Sequence, residues 1–425
     1  MSIYDELLKS TILPKMALVS SRVERGTIEK KDIPSIIERS VNENNLLDCI
    51  MPGQSVAIGI GSREINHIDV IIKSLVNLLL GKGAKPFLIP AMGSHGGATA
   101  EGQRQLIEGF GINERTMGVP IICSMQTRVI GRTAEGLEVN VDENAFDADW
   151  MIPVGRIKPH TDFRGVIESG LMKMLTIGFG KQRGANLCHS HGFDRMSYNV
   201  TQIARVILAS KHVPFGIAIV EDAFHGTYAL KALPAQSIEE EEAKLLVKAK
   251  TLIPRIPFKK VDVLVLDRIG KDISGAGMDP NITGRSSIMG ISQPFIERIA
   301  VLDLSEASHG NGCGIGGADI TTRRFYGKMD LDESYPNAIT SHDPASMKIP
   351  PIMHCDRDAI RMAIQTCVHI DPAGCRMVWM PDTLHFSPYR ISQALLDEAR
   401  SIPDLDVISE PEDIVFDESG NVPWL

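Results

Sequence analysis

Residues 55–99 read SVAIGIGSREINHIDVIIKSLVNLLLGKGAKPFLIPAMGSHGGAT and contain two strand patterns separated by a helix pattern. The apolar run Ser55–Ile60 predicts a buried strand. Residues 65–80 repeat apolar side chains at helical spacing, and two glycines mark the end of that helix. The second strand, Lys85–Pro90, runs directly into a glycine-rich loop. This unit predicts a parallel sheet that is covered by helices.

The same alternation of strands and helices continues to the end of the chain, which predicts an α/β protein of two domains. Both domains are expected to have mainly parallel sheets, with an active-site cleft between them. The proline-bearing stretch TLIPRIPFKK marks the boundary. Residues 1–255 form the predicted N-terminal catalytic domain, with the tail 410–425 packing back on it, and residues 256–409 form the predicted C-terminal domain that closes the cleft. Further along the chain, the sequence predicts a strand at Trp150–Val154, a helix opened by the acidic run Glu239–Glu242, and a helix at Ile391–Arg400.

Composition excludes several classes of protein. The 425 residues carry a net charge of −9 without a Lys/Arg-rich block, which argues against nucleic acid as a partner. The apolar runs are far shorter than the ~20 residues that span a bilayer, which argues against a membrane protein. The first residues, MSIYDELLKS, lack the apolar core of a signal peptide, so we expect a protein that is not secreted. Seven scattered cysteines form no CxxC pair, which is typical of reduced thiols in the cytoplasm.

Three polar or glycine-rich loops follow predicted strands: IGIGSRE, AMGSHGGAT and VGRIKPHTDFRGVIESG. In open parallel sheets, ligands bind beyond the carboxyl ends of the strands. The loops therefore predict that Arg63, His95, His160 and Arg164 lie on the ligand side of the sheet. An imidazole titrates near neutrality and suits acid–base catalysis, although a histidine that only satisfies a loop carbonyl is an equally simple interpretation of His95 alone.

Two further features carry chemistry. Lys173 is a single charge in the apolar run LMKML, so it must reach solvent, find a partner or be chemically modified. The sequence Cys188-His189-Ser190-His191 follows, and alternate histidines on an extended segment point the same way and can chelate a metal. A zinc site built from Cys188, His189 and His191 is the competing interpretation of this cluster.

Together these motifs resemble the nickel-pincer-nucleotide lactate racemase family. The ordered set is a glycine-bracketed histidine in GSHGGAT, a Pro-His in KPHTDFRG, a lysine, and a histidine sixteen residues later (189 − 173 = 16). The motifs cover roughly residues 50–200, and the two-domain α/β arrangement extends the resemblance over the rest of the chain.

The resemblance implies a cofactor and roles for individual residues. Lys173 would hold the nickel-pincer nucleotide, a pyridinium-3-thioamide-5-thiocarboxylic acid mononucleotide, and His189 would be the protein ligand of nickel, with His191 as the alternative ligand. His95 and His160 would be the catalytic acid–base pair. Arg63, Ser94, Gly96, Gly97 and Arg164 would contact the cofactor. The implied activity is an isomerase that racemises or epimerises a 2-hydroxy acid by reversible hydride transfer.

Several positions depart from the family pattern. The segment Ile58–Ser62 lacks the acidic residue that precedes the arginine in lactate racemases, and the stretch from Pro-His to the lysine is three residues longer. In the second domain, Lys271 lies in the stretch Gly270–Ser274, which resembles a turn of the family, whereas Asn281 and Arg285 stand where the family has other substrate contacts. These changes predict a larger or more polar 2-hydroxy acid than lactate.

Three hypotheses for the function follow. The first is the nickel-dependent racemase or epimerase, which needs cofactor-synthesis enzymes as partners for its maturation. The second is a zinc-dependent lyase or hydrolase that uses the Cys188, His189 and His191 cluster. The third is a non-catalytic ligand-binding scaffold.

Overall fold

The structure is a computed structural model that describes residues 3–62, 65–210, 212–286 and 294–424. Strands and helices alternate along most of this length. The strands are β1 (Met16–Ser21), β2 (Ser55–Ile60), β3 (Lys85–Pro90), β4 (Thr127–Arg132), β5 (Glu138–Asp142), β6 (Trp150–Arg156), β7 (Phe215–Glu221), β8 (Thr227–Pro234), β9 (Val261–Ile269), β10 (Ile296–Leu304), β11 (Ile320–Thr322), β12 (Ile352–Met353), β13 (Met377–Met380), β14 (Tyr389–Ser392) and β15 (Leu405–Val407).

The helices vary from single turns to four turns. They are α1 (Ile3–Lys9), α2 (Ile33–Asn42), α3 (Ile68–Gly81), α4 (Ala100–Gly109), α5 (Glu114–Met117), α6 (Glu143–Asp147), α7 (Leu171–Lys173), α8 (Lys181–Ser190), α9 (Met196–Ala209), α10 (Ile238–Leu252), α11 (Pro280–Thr283), α12 (Arg323–Lys328), α13 (Leu331–Thr340), α14 (Asp356–Gln365) and α15 (Leu396–Ser401). A π-helical turn, Met174–Gly178, continues α7 without a break. None of the helices in the described ranges is long and apolar enough to cross a membrane.

The unit formed by residues 24–253 is built on a sheet with the strand order β3-β2-β6-β7-β8. The first four strands are parallel, and β8 is an antiparallel edge strand. Because side chains alternate along a strand, neighbouring residues of β2 pack on opposite faces. Val56 and Ile58 join the core beneath α2 and α3, whereas Ala57 joins the core beneath α7, α9 and α10. The unit is therefore a three-layer α/β sandwich.

The unit formed by residues 1–23 and 254–425 has its own sheet, with the strand order β12-β11-β10-β9-β13-β14-β1-β15. The pairs from β12 through β13 are parallel. The pairs that join β14, β1 and β15 are antiparallel. Helix α14 covers one face of this sheet, where Ile360 and Ile364 pack against Val263 and Trp379. Both sheets thus confirm the predicted α/β class with mainly parallel strands.

The strands β2 and β3 have the bounds that the sequence pattern predicts. Thr99 caps α4 by accepting a hydrogen bond from the Gly102 amide at 3.0 Å. The predicted helix at Ile391–Arg400 is wrong in its first part. Tyr389–Ser392 form a strand instead, because Ile391 pairs with Ala17 on one side and Val378 on the other. Cross-strand pairing with distant segments overrides the local helical spacing there.

The division of the chain differs from the predicted domains in two segments. Residues 1–23 and the tail 410–425, both assigned by sequence to the first domain, belong to the second unit, which begins again at Pro254. The cause is strand pairing: β1 lies between β14 and β15, and the Met16 amide donates to the Glu412 carbonyl at 2.8 Å. Long-range pairing of this kind leaves no local signal in the sequence.

Candidate active site

Three loops of the first sheet leave from the carboxyl ends of parallel strands. These strands, β2, β3 and β6, end at Ile60, Pro90 and Arg156. Met174, the residue after Lys173, packs beneath two of the strand ends, because a Cβ placed on Gly155 would lie 2.8 Å from its side chain and one placed on Gly61 would lie 3.4 Å from it. The helix that carries Lys173 is thereby fixed against the edge of the sheet where parallel α/β folds bind ligands.

Lys173 and His160 are in direct contact at this edge. The Lys173 Nζ atom lies 2.6 Å from the His160 Nε2 atom. Lys173 is half-buried, whereas its neighbours Leu171 and Met172 are fully buried. The sequence predicts that this lysine reaches solvent, finds a partner or is chemically modified. In the structure, its amine has the His160 imidazole as a partner.

The hydrogen-bond network around His160 determines where its hydrogen sits. The Asp162 backbone N–H donates to His160 Nδ1 at 2.9 Å, so Nδ1 carries no hydrogen and a neutral ring has its hydrogen on Nε2. The Nε2 side of the ring is therefore the side that faces the Lys173 amine.

The electrostatic surroundings keep His160 neutral. Burial lowers the pKa of His160 well below its ordinary value, and Lys173 and Lys158 lower it further, with smaller effects from His189 and Arg164. Phe163 covers one face of the ring, with the ring centroids 4.1 Å apart. A neutral imidazole at the edge of a buried niche is suited to accept or relay a proton near neutral pH.

Glu168 organises the loop that presents His160, and the sequence analysis did not single it out. Its side chain is fully buried and accepts the His160 backbone N–H at 2.7 Å and the Gly165 N–H at 3.2 Å. Lys250 of α10 balances the charge, with its Nζ atom 2.6 Å from Glu168 Oε1. No local pattern marks Glu168, because its partners are loop amides and a lysine on a distant helix.

The loop after β3 carries His95 as an exposed residue. Its Nδ1 atom lies 2.7 Å from the Met92 carbonyl oxygen, which orients the ring. Beneath the loop, Gly93 would place a Cβ 3.0 Å from Ile177 and 3.6 Å from Ala185. The loop of His95 therefore rests on the segment that connects Lys173 to His189.

A buried polar network, also absent from the sequence analysis, holds this loop from below. The Gln103 amide donates to the Gly93 carbonyl at 3.0 Å and to the His95 carbonyl at 3.1 Å. Lys181, fully buried, donates to the Pro90 carbonyl and pairs with Asp142 at 3.1 Å. Burial lowers the pKa of Lys181, and Asp142 opposes that shift. The network joins the end of β3 to the start of α8.

His189 is the penultimate residue of α8, and its ring stacks on Phe193 with the centroids 5.6 Å apart. The predicted extended conformation of residues 188–191 is wrong, because Cys188 and His189 are helical and His191 follows the last helical residue. The alternate histidines thus do not share one face of a strand. His191 is exposed, and its Nδ1 atom lies 2.9 Å from the Leu187 carbonyl.

The zinc interpretation of this segment finds no support in the geometry. Cys188 is fully buried in the apolar core, and burial raises the pKa of its thiol to about 12, so it stays protonated. Within the part of the chain that the structure describes, no three His, Cys, Asp or Glu side chains are grouped so that they could hold a metal ion.

The remaining predicted cofactor contacts lie on the same loops. Gly96 and Gly97 have φ of 64° and 62°, and a Cβ on Gly96 would lie 2.6 Å from the Gly102 carbonyl carbon, so this turn requires glycine. Ser94 is half-buried beside them. Arg164 is exposed, and its guanidinium donates to the carbonyls of His160 and Phe163. Arg63 lies outside the described residues.

The three predicted substrate residues belong to the other unit, where each has partners of its own. Lys271 Nζ donates to the Gly275 carbonyl at 2.7 Å, and Asn281 donates to Asp279 at 2.8 Å. Arg285 forms an ion pair with Asp319 at 3.0 Å. Their role toward a substrate stays a prediction.

Comparison with known proteins agrees with the motifs. Residues 4–197 match the family model described as the lactate racemase N-terminal domain. A solved structure, the lactate racemase apoprotein from Thermoanaerobacterium thermosaccharolyticum, aligns with 67% of this chain and 74% of its own, at 14% sequence identity and a TM-score of 0.45. No curated protein matches the sequence. By the match to the family model, residues 4–197 of the chain are similar to the lactate racemase N-terminal domain.

Proposed function

We propose that the protein is a racemase or epimerase of a 2-hydroxy acid and that Lys173 carries a nickel-pincer nucleotide. The observation that supports this most directly is the 2.6 Å contact between Lys173 Nζ and His160 Nε2 inside the segment that is similar to a lactate racemase N-terminal domain. A lysine amine held beside a neutral imidazole, which can take up its proton, would be suited to covalent attachment.

The residues around Lys173 fit the chemistry of such a cofactor. Lys158 and Arg164 act electrostatically on the same niche and would favour the phosphate of a mononucleotide. The imidazole of His189 is near enough to His160 to lower its pKa and would serve as the single protein ligand of nickel. When bound, the group would supply a hydride acceptor, which no side chain provides.

The histidines would handle the protons. His160 would act on the proton of the substrate hydroxyl through Nε2, the ring nitrogen that faces Lys173. His95 would serve as the second acid–base group, because the hydroxyl of the opposite stereoisomer lies on the other side of the reacting carbon. The exposed position of His95 at the sheet edge allows a ligand to approach its ring.

The proposed substrate is a 2-hydroxy acid larger or more polar than lactate. The reason is the set of departures described above, which lie in the segment Ile58–Ser62 and at Asn281 and Arg285. If Asn281 and Arg285 bind the substrate, they would discriminate against a small apolar side chain, because a site built to hydrogen-bond a substrate leaves polar groups unpaired with a smaller one.

The experiment is to co-express the chain with cofactor-synthesis enzymes and to measure nickel, the intact mass and racemisation of a hydroxy-acid panel. We expect nickel, an added mass on the peptide that contains Lys173, and turnover of a polar hydroxy acid that exceeds turnover of lactate. The variant Lys173→Ala should lose the added mass, whereas Lys244→Ala, an exposed lysine, should keep it.

The outcomes separate the parts of the proposal. Lactate as the best substrate would contradict the substrate class alone. Zinc without an added mass would favour a zinc lyase or hydrolase. Absence of any metal or adduct after co-expression would favour a ligand-binding scaffold and would contradict the proposed function.

A further inference from the structure

The four acidic residues at the start of α10 differ in their surroundings. Glu239 pairs with Arg205 at 2.6 Å, and both Glu240 and Glu241 lie 2.7 Å from Lys244. Glu242 is fully buried and points to the opposite side, toward the core beneath the sheet. A run of acids that looks uniform in sequence therefore contains one residue with a separate role.

Glu242 reaches the first turn of the helix that carries Lys173. Its Oε2 atom accepts the Met172 backbone N–H at 2.9 Å, and the Leu171 N–H also bonds to the carboxyl group. Its Oε1 atom lies against Gly170, where a Cβ would be only 2.3 Å away. Glu242 thus contacts the three residues that immediately precede Lys173.

Removing the Glu242 carboxyl group from water lowers the stability of the fold, so its buried position calls for a compensating role. Burial raises the pKa of Glu242 to about 8, the two backbone N–H groups oppose that shift, and Glu239 adds to it. The Oε1 atom has no hydrogen-bond partner among the described residues. An apolar residue at this position would avoid the desolvation of a carboxyl group.

We propose that Glu242 is a positioning residue for Lys173: it holds the amides of Leu171 and Met172 so that the lysine amine stays in contact with His160. The backbone N–H groups of a first helical turn have no partner within the helix, and here an acceptor from α10 provides one. The turn Leu171–Lys173 is short and continues as a π-helical turn, so its direction depends on this external acceptor. The inference rests on the proposed function, because a precise lysine position matters for attachment of a cofactor.

The test compares three variants with the wild type as apoproteins. Glu242→Leu removes the acceptor, Glu242→Gln keeps an acceptor of the same shape, and Glu240→Leu is the exposed control in the same run. We expect crystal structures to show the Lys173–His160 contact broken in the Glu242→Leu variant and kept in the other two. Rescue by glutamine separates positioning by a hydrogen bond from simple filling of the core.

Attachment of the cofactor is the second measurement. After co-expression with the cofactor-synthesis enzymes, the added mass on Lys173 should fall at least about tenfold in Glu242→Leu, since misplacement by about 1 Å can cost 10²-fold in reactivity. Glu242→Gln and Glu240→Leu should retain it. A Glu242→Leu protein with an intact Lys173–His160 contact and full attachment would overturn the inference.

A second pair of variants and the result for the wild type cover the cases in which the first comparison gives no answer. If Glu242→Leu does not fold, Gly170→Ala displaces the carboxyl group without changing its chemistry, and Gly109→Ala, whose Cβ meets nothing within 4 Å, is its control. We expect Gly170→Ala alone to break the lysine contact, and an unbroken contact would count against the proposal. If the wild type never gains an adduct, the proposed function fails, and the apoprotein structures still decide the role of Glu242.

Discussion

Lys173 Nζ lies 2.6 Å from His160 Nε2, and the opposite nitrogen of the same ring accepts the Asp162 backbone N–H at 2.9 Å. One imidazole is thus held between a backbone donor and a lysine amine. Because the amide can only donate, Nδ1 accepts its hydrogen, and Nε2 is the nitrogen that faces the lysine.

The first prediction concerns the protonation of His160. Its imidazole nitrogen shifts should report hydrogen on Nε2 at neutral pH, and protonation should occur only well below the ordinary range. Lys173→Met removes an amine that lowers the pKa of His160, so the ring should protonate at a higher pH than in the wild type. Lys158→Met should produce a smaller change in the same direction. Nitrogen-15 NMR titration measures both, and an unchanged titration in Lys173→Met would contradict the contact.

The second prediction concerns Glu168. Glu168→Gln should lower the free energy of unfolding by about 3 kcal/mol, because it leaves Lys250 without its buried partner and weakens the bonds to the loop amides. Glu240→Gln, at an exposed position, should change it by less than about 0.5 kcal/mol. Urea denaturation followed by circular dichroism measures the difference. Equal stability of the two variants would show that Glu168 does not organise the loop.

The third prediction concerns the loop of His95. Gln103→Leu leaves the Gly93 and His95 carbonyls without their side-chain donor, which should cost about 1–3 kcal/mol. The amides of residues 91–99 should exchange hydrogen faster with solvent. Gln105→Leu, also on α4, is the matched control. Gln105 is exposed, and its side chain bonds to Glu101, which lies on α4 and not in the loop of His95. Hydrogen exchange with mass spectrometry tests this, and equal protection in both variants would refute it.

The fourth prediction is a pH dependence of stability. Burial raises the pKa of Glu242 from 4.5 to about 8, so between these values the folded state binds more protons than the unfolded state. This group therefore makes the protein less stable as the pH rises from 4.5 to 8, by up to about 1.4 kcal/mol per pH unit. In the Glu242→Gln variant, the stability of the protein should depend less on pH between 4.5 and 8. Melting temperatures of both proteins at pH 5 to 8 measure it, and parallel profiles would be inconsistent with the assigned shift.

The fifth prediction concerns thiol reactivity. Burial raises the pKa of Cys188 to about 12, so iodoacetamide should not modify it in the folded protein. Cys49 is exposed and should be alkylated under the same conditions. Peptide mass spectrometry distinguishes the two sites. Rapid alkylation of Cys188, with protection by zinc, would restore the zinc interpretation of the segment 188–191.

Local patterns predicted where two of the candidate loops lie in the fold. The loops of His95 and His160 follow strands whose apolar runs are continuous, so their places at the sheet edge could be read from spacing alone. The helical conformation of His189 could not be predicted in this way, because His-x-His fits a strand and a helix end equally well. The structure decides in favour of the helix because α8 packs its Cys188 and Ala185 into the core.

The amino-acid sequence by itself determined the α/β class and the bounds of β2 and β3, and it supplied the candidate residues for chemistry, because these depend on periodicity and residue type. Only the tertiary structure decided which partners those residues have. Glu168, Gln103, Lys181 and Glu242 act on loops and helices that are brought to them by the fold, and β1 pairs with strands from the opposite end of the chain. The physical reason is that a buried polar group is stabilised by whichever donor or acceptor the packed core places beside it, and that choice leaves no local pattern in the chain.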